Sequence, residues 1–92
     1  MNDFEWNEDK AILNLNKHNI SFYEASTVFD DYFGKIIDDK IHSINELRYY
    51  LIGFSNNNKL LTVSFTERDN RIRIISARNS TKSERKLYEN EN

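Results

Sequence analysis

The sequence predicts an α+β domain with two N-terminal helices, a four-stranded antiparallel sheet and a short C-terminal helix. Three observations predict it. Apolar residues recur at helical spacing through the first third of the chain. From Gly34 onward the pattern becomes extended, with aromatic and β-branched runs separated by Asn and Asp turns. Near the end a Thr-Lys-Ser-Glu box reopens a helix. Helices and strands are segregated along the chain, which argues against a parallel α/β fold. The 92 residues suit a single domain spanning 1–92. A chain of this size buries roughly 60–65% of its unfolded surface, so its core is small.

Phe4-Glu5-Trp6 reads as a short extended segment. Asn7 suits an N-cap, Glu8 and Asp9 suit the positive helix end, and Ala11, Ile12 and Leu15 share a face, which places a helix near 8–18. Asn19 fits the left-handed position after it, and Ile20 then packs back on the helix end. Ser21-Phe22-Tyr23-Glu24 is a capping box with Ile20 and Ala25 at the staple positions. It opens a second helix near 22–31.

Strands are expected at 34–38, 48–55, 59–66 and 71–78, with turns at 56–58 and 69–70. If Asp69-Asn70 is a two-residue turn, Arg68 pairs with Arg71 and Thr66 with Arg73. Strict alternation then puts these residues on one face with Ser64, Thr62 and Ala77. Leu61, Val63, Phe65, Ile72 and Ile74 fill the core face. Thr81-Lys82-Ser83-Glu84 begins the last helix, which carries Leu87 and Tyr88.

Charge is uneven along the chain. Residues 1–47 carry ten acids and four bases; residues 48–92 carry five acids and nine bases. The basic second half can attract phosphates although the formal net charge is −2. Small domains are often lopsided in charge, so the asymmetry alone decides nothing.

There are no cysteines, consistent with a reducing cytoplasm. The opening lacks the basic region of a signal peptide, and no apolar run approaches the ~20 residues of a membrane span. A cytoplasmic protein without membrane contact is expected. His18 and His42 lie far apart and thiolates are absent, so no metal site or cofactor is expected. A phosphate-binding glycine loop and a nucleophile motif are also missing.

The 59–78 hairpin carries the clearest chemistry. Arginines gathered on one face repel unless something anionic answers them, and phosphate matches guanidinium bidentately. Pairing with local acids such as Glu67 and Asp69 answers them equally well. Glu67 fits a general base or a surface acid. Arg78 fits a phosphate clamp beside the last helix or a plain salt bridge. His18, next to Lys17 at a helix end, fits a cap or a proton carrier. His42, before Arg48, is open in the same way. Trp6 and the tyrosines fit base stacking or core packing, with Tyr88 the better placed for contact.

Taken together the segments resemble the BrnT family of toxins. Phe4-Glu5-Trp6, Lys10, Asn14 and Lys17-His18 are similar to its F-E-W…K…N…K-H start. Ser21-Phe22-Tyr23-Glu24-Ala25 and Val28-Phe29-Asp30-Asp31 resemble its S-F-E-E-A…V-F-x-D stretch, and His42, Glu46, Arg48, Ile52 and Gly53 its H…E-x-R…I-G segment. Thr66-Glu67-Arg68 and the run from Arg71 to Arg78 resemble its T-E-R…R-I-R-I-I-S-A-R pair, and Glu84-Arg85…Tyr88-Glu89 its E-R…Y-E end. The chain departs from the pattern at Asn19, Tyr32, Asn79 and Ser80.

The resemblance implies a RelE-like fold and a metal-independent endoribonuclease that inhibits translation. It also implies a BrnA-type antitoxin with a DNA-binding domain, held with the toxin in a hetero-oligomer, so that DNA is met only through the partner. On that reading Arg73 and Arg78 clamp the phosphate, and Glu67, Lys17 or His18 handles the proton. Arg68, Arg71 and Tyr88 hold RNA. Two rivals remain: a non-enzymatic RNA- or protein-binding module, and an inactive scaffold for a DNA-binding partner.

Overall fold

Asn7 opens the first helix as its side chain predicts. In the computed structural model, which describes residues 3–90, Asn7 Oδ1 accepts the backbone N–H of Lys10 at 3.0 Å. The ends of the expected 1–92 domain, residues 1–2 and 91–92, lie outside the described residues. Helix α1 (Glu8–His18) stops at Asn19, whose φ of 58° is the left-handed conformation expected of it. Its amide closes on the Leu15 carbonyl at 2.9 Å.

Helix α2 (Phe22–Thr27) is capped by Ser21 Oγ, which accepts the Glu24 amide at 3.0 Å. The return half of the expected box is spent elsewhere: Glu24 Oε2 accepts the Ser55 hydroxyl at 2.7 Å. The helix expected to reach residue 31 tightens after Thr27 into a 3-10 turn, Val28–Asp30.

The sheet has five strands: β1 (Asp3–Glu5), β2 (Lys35–Asp38), β3 (Arg48–Phe54), β4 (Leu60–Arg68) and β5 (Arg71–Asn79). Their order is β1-β5-β4-β3-β2. The expected four-stranded antiparallel meander is present as β2 to β5, but β1 adds a parallel edge against β5, so the sheet is mixed. Three residues are too few for periodicity to reveal a strand, and the pairing is long-range. Phe4 is fixed there by an edge-on contact with Phe29, ring centroids 5.2 Å apart.

The β4–β5 turn is the two-residue turn expected, with positive φ at both Asp69 (52°) and Asn70 (64°). Arg68 therefore faces Arg71, and Thr66 faces Arg73. Farther along, alternation breaks. Phe65 pairs with Ile74 and Ser64 with Ser76, leaving Ile75 as an extra residue in β5. The bulge reverses one assignment. Ala77, expected among the arginines, turns into the core and is fully buried. Arg78 turns onto the arginine face opposite Thr62.

One sheet face buries Leu51, Leu61, Val63, Phe65, Ile72, Ile74 and Ala77 against Ile20, Phe22, Ala25 and Val28 of the helical layer. Burying a large apolar side chain of this kind stabilises the fold by roughly 1.5–3 kcal/mol. Trp6 packs on this core, edge-on to Phe22 and Tyr23, and its indole N–H reaches Glu8. Helix α3 (Lys82–Asn90) lies at the other face, where Glu84 meets Thr62 and Tyr88 meets Phe54. Its capping box is complete: Thr81 Oγ1 accepts the Glu84 amide, and Glu84 Oε1 accepts the Thr81 amide at 2.8 Å. No helix among the described residues is long and apolar enough to cross a membrane.

Candidate active site

The bulge at Ile75 makes the site. By placing Arg78 on the face away from the core, it gathers Arg48 and Tyr50 of β3, Ser64 of β4, and Ile75, Ser76 and Arg78 of β5 around a cleft of about 230 Å³. Asp39 and His42, from the loop between β2 and β3, form the remaining wall. A second groove, between α1 and β5, is lined by Lys10, Leu13, Asn14, Lys17 and His18 and shares Ile75 and Ser76 with the first. Lys17 and His18 thus border the arginine face across the bulge.

Asn14 fixes this junction. β1 covers β5 only from Arg71 to Arg73, so the edge beyond is open to a side chain. Asn14 Oδ1 accepts the Ala77 amide at 3.0 Å, while its Nδ2 donates to the Ala77 carbonyl at 2.9 Å and to the Ile20 carbonyl at 3.0 Å. The buried amide replaces a neighbouring strand for one residue and ties α1 to β5 beside the bulge.

Each hairpin arginine meets a carboxylate, and for Arg68, Arg71 and Arg73 the partner is distant in sequence. Arg73 donates to Glu5 at 3.1 Å, with Arg71 at 3.7 Å from the same carboxylate; Arg68 donates to Glu46 at 3.0 Å. Of the local acids considered for this role, Glu67 lies on the other face and Asp69 adds only the weakest of the charge interactions that Arg68 has. Arg78 forks onto Glu84 with bonds of 2.7 and 3.0 Å. This fork, with the Thr81 amide and the Thr62 hydroxyl, pulls the Glu84 carboxyl down to about 2 although burial opposes it. A guanidinium carries five N–H donors, and a bidentate pair uses two of them. Pairing therefore orients Arg78 while leaving it donors for a phosphate.

Asp39 and His42 form the most defined pair in the cleft. His42 Nδ1 lies 2.8 Å from Asp39 Oδ2; Asp39 is 7% exposed and His42 57%. Burial pushes the Asp39 carboxyl up, but bonds from the His42 ring and amide, the His42 charge and the Tyr50 hydroxyl hold it below its usual value. Burial, Asp39's charge and the bond to it raise Tyr50 in turn. The loop is anchored at both ends. The Asp39 amide meets the Arg48 carbonyl at 2.9 Å, and Ser43 Oγ donates to the Asp39 carbonyl and accepts the Arg48 amide. Arg48 Nε is shielded and has no hydrogen-bond partner among the described residues, with Glu46 Oε2 3.5 Å away.

The structure separates the residues singled out in the sequence. Arg68, Arg71, Arg73 and Arg78 share one face, and Lys17 and His18 adjoin it. Glu67, opposite Ile72, lies on the other face and borders a cavity with Phe65, Tyr49 and Ile72. Tyr88 lies away from the arginines: its hydroxyl donates to Asp31 at 2.7 Å and its ring meets Phe54 edge-on. Burial and that bond raise its pKa to about 12. The sequence leaves His42 open as a cap or a proton carrier, Arg48 enters through the H…E-x-R resemblance, and Asp39 and Tyr50 are given no catalytic role. The three-residue spacing of Asp39 and His42 was the available signal.

A family model described as "Ribonuclease toxin, BrnT, of type II toxin-antitoxin system" matches residues 6–84. Among solved structures, the 1.1 Å crystal structure of the Brucella abortus ribonuclease toxin BrnT is similar in fold. It is 21% identical, with a TM-score of 0.69 over 89% of this chain and 100% of that one. No curated protein matches the sequence.

Proposed function

The chain belongs to the BrnT family of ribonuclease toxins of type II toxin–antitoxin systems, and from that premise we propose that it cleaves RNA at the arginine face and thereby inhibits translation. The observation that carries the placement is the bulge at Ile75, which sets Arg78 beside Arg48, Tyr50 and the Asp39–His42 pair. Arg78 holds the scissile phosphate and the charge that develops on it, and Arg73, which does not line that cleft, holds the neighbouring backbone. Arg68 and Arg71 extend the track for RNA. Lys17 and His18 reach the face from α1. Glu67, on the opposite face, is given no part in this step.

Cleavage needs no metal on this reading. The 2′-hydroxyl attacks the adjacent phosphorus, the P–O5′ bond breaks, and the products are a 2′,3′-cyclic phosphate and a 5′-hydroxyl. A positioned acid or base contributes roughly 10²–10⁴-fold to such a step.

Type II membership implies a protein antitoxin. We assign that role to a BrnA-type, DNA-binding partner that forms a hetero-oligomer with this chain in the cytoplasm. Inducing the chain in growing bacteria, beside Arg73→Ala and Arg78→Ala at matched soluble levels, tests the reading. Growth arrest with RNA loss, removed by either substitution, is the expected result. Normal growth and intact RNA with soluble wild-type protein would favour a scaffold for the DNA-binding partner.

A further inference from the structure

We infer that His42 is the general base of the cleavage step and that Asp39 positions it. The inference rests on the ribonuclease reading above and adds to it a proton carrier in a loop that the sequence left open.

The argument begins with hydrogen-bond direction. An ionised carboxylate can only accept, so the 2.8 Å contact between Asp39 Oδ2 and His42 Nδ1 requires a proton on Nδ1. In neutral imidazole the lone pair then sits on Nε2. That tautomer is the one a general base needs. Asp39 also holds the His42 backbone, since its Oδ1 accepts the His42 amide at 3.3 Å. Ring and main chain are thus fixed by one buried side chain, and Ser43 ties the Asp39 carbonyl to the Arg48 amide across the loop.

The surroundings match the task. The groups facing His42 are Asp39 on its own loop, Arg48 and Tyr50 from β3, Ser64 from β4, and Ile75, Ser76 and Arg78 from β5, with Glu84 of α3 behind Arg78. Glu46 and Lys40 are the other charges carried by the loop. A phosphate in the cleft would lie between the guanidinium groups of Arg48 and Arg78. Its neighbouring 2′-hydroxyl would then lie within the cleft that His42 walls.

The step balances. The 2′-hydroxyl proton passes to His42 Nε2 as the O2′–P bond forms. The P–O5′ bond breaks, and the departing O5′ takes a proton from water at the open mouth of the cleft. The imidazolium, stabilised by Asp39, returns its proton to the solvent. Arg48 and Arg78 answer the charge on the phosphoryl oxygens.

The experiment uses the purified full chain with mixed-sequence RNA, free and ribosome-bound, and compares wild type, His42→Ala and Asp39→Asn. Thermal melts confirm that each variant is folded. His42→Ala is expected to slow cleavage by about 10²–10⁴-fold, and added imidazole to restore part of the rate. Asp39→Asn is expected to lower kcat with little change in KM. A folded His42→Ala that cleaves like wild type overturns the inference and leaves the ribonuclease reading intact. A loss that imidazole does not relieve overturns it as well. A wild-type chain inert toward both RNA forms overturns both.

Discussion

Asn14 holds Ala77 by both of that residue's backbone polar groups, with bonds of 3.0 and 2.9 Å. One side-chain amide thus stands in for a strand at the open edge of β5, next to the bulge that turns Arg78 toward the cleft. Fold and site meet at this contact.

Removing that amide is costly. Asn14→Ala leaves the Ala77 amide and carbonyl and the Ile20 carbonyl without their partner in a buried place. Each such group costs about 1–3 kcal/mol. Denaturant unfolding is expected to show a loss of about 3 kcal/mol or more. A loss below about 1 kcal/mol would mean that water or a backbone shift replaces the amide.

Gly53 is required by close approach rather than by backbone conformation. A Cβ there would meet Val28 Cγ1 at 2.9 Å and Asp31 Oδ2 at 3.2 Å. Asp31 is not free to move, because it accepts the Phe54 and Phe33 amides and the Tyr88 hydroxyl. Gly53→Ala is therefore expected to destabilise the chain by about 1–3 kcal/mol, read from the shift in denaturation midpoint.

Glu84 makes stability depend on pH in a defined window. Its carboxyl falls from 4.5 to about 2 on folding, chiefly through Arg78. A lowered folded pKa gives stability that is present above about 4.5 and disappears as pH falls toward about 2. Partial exposure of the pair reduces its worth through solvent screening to about 1–2 kcal/mol. Glu84→Gln should be less stable than wild type at pH 7 by that amount, and the gap should close by pH 2. A gap that stays constant across the window would show that Arg78 does not sense the charge.

Much of the fold was legible because local chemistry and tertiary packing agree. Asn7, Asn19, Ser21, Thr81 and the Asp69-Asn70 turn each act as their side chains suggest. The misses share a physical cause. β1 is three residues long and exists through Phe4 and its pairing with β5. The bulge at Ile75 has no sequence signature, and strict alternation carried Ala77 to the wrong face. The acids that answer Arg68, Arg71 and Arg73 are Glu46 and Glu5, from two other segments, which proximity along the chain cannot show. Asp39 and Tyr50 were given no part in the site because their importance lies in where the loop folds back. Tyr88 drew attention through its basic neighbours, yet its hydroxyl belongs to Asp31.

The most direct test of the account is the chemistry of the ends left on cleaved RNA. The purified chain is incubated with RNA, free and ribosome-bound, in the presence of EDTA, and the new termini are characterised. The account predicts cleavage that persists in EDTA, leaves 2′,3′-cyclic phosphate and 5′-hydroxyl ends, and stops when the 2′-hydroxyl at the cut site is replaced by hydrogen. Cleavage that EDTA abolishes, or that leaves 5′-phosphate ends, would contradict it.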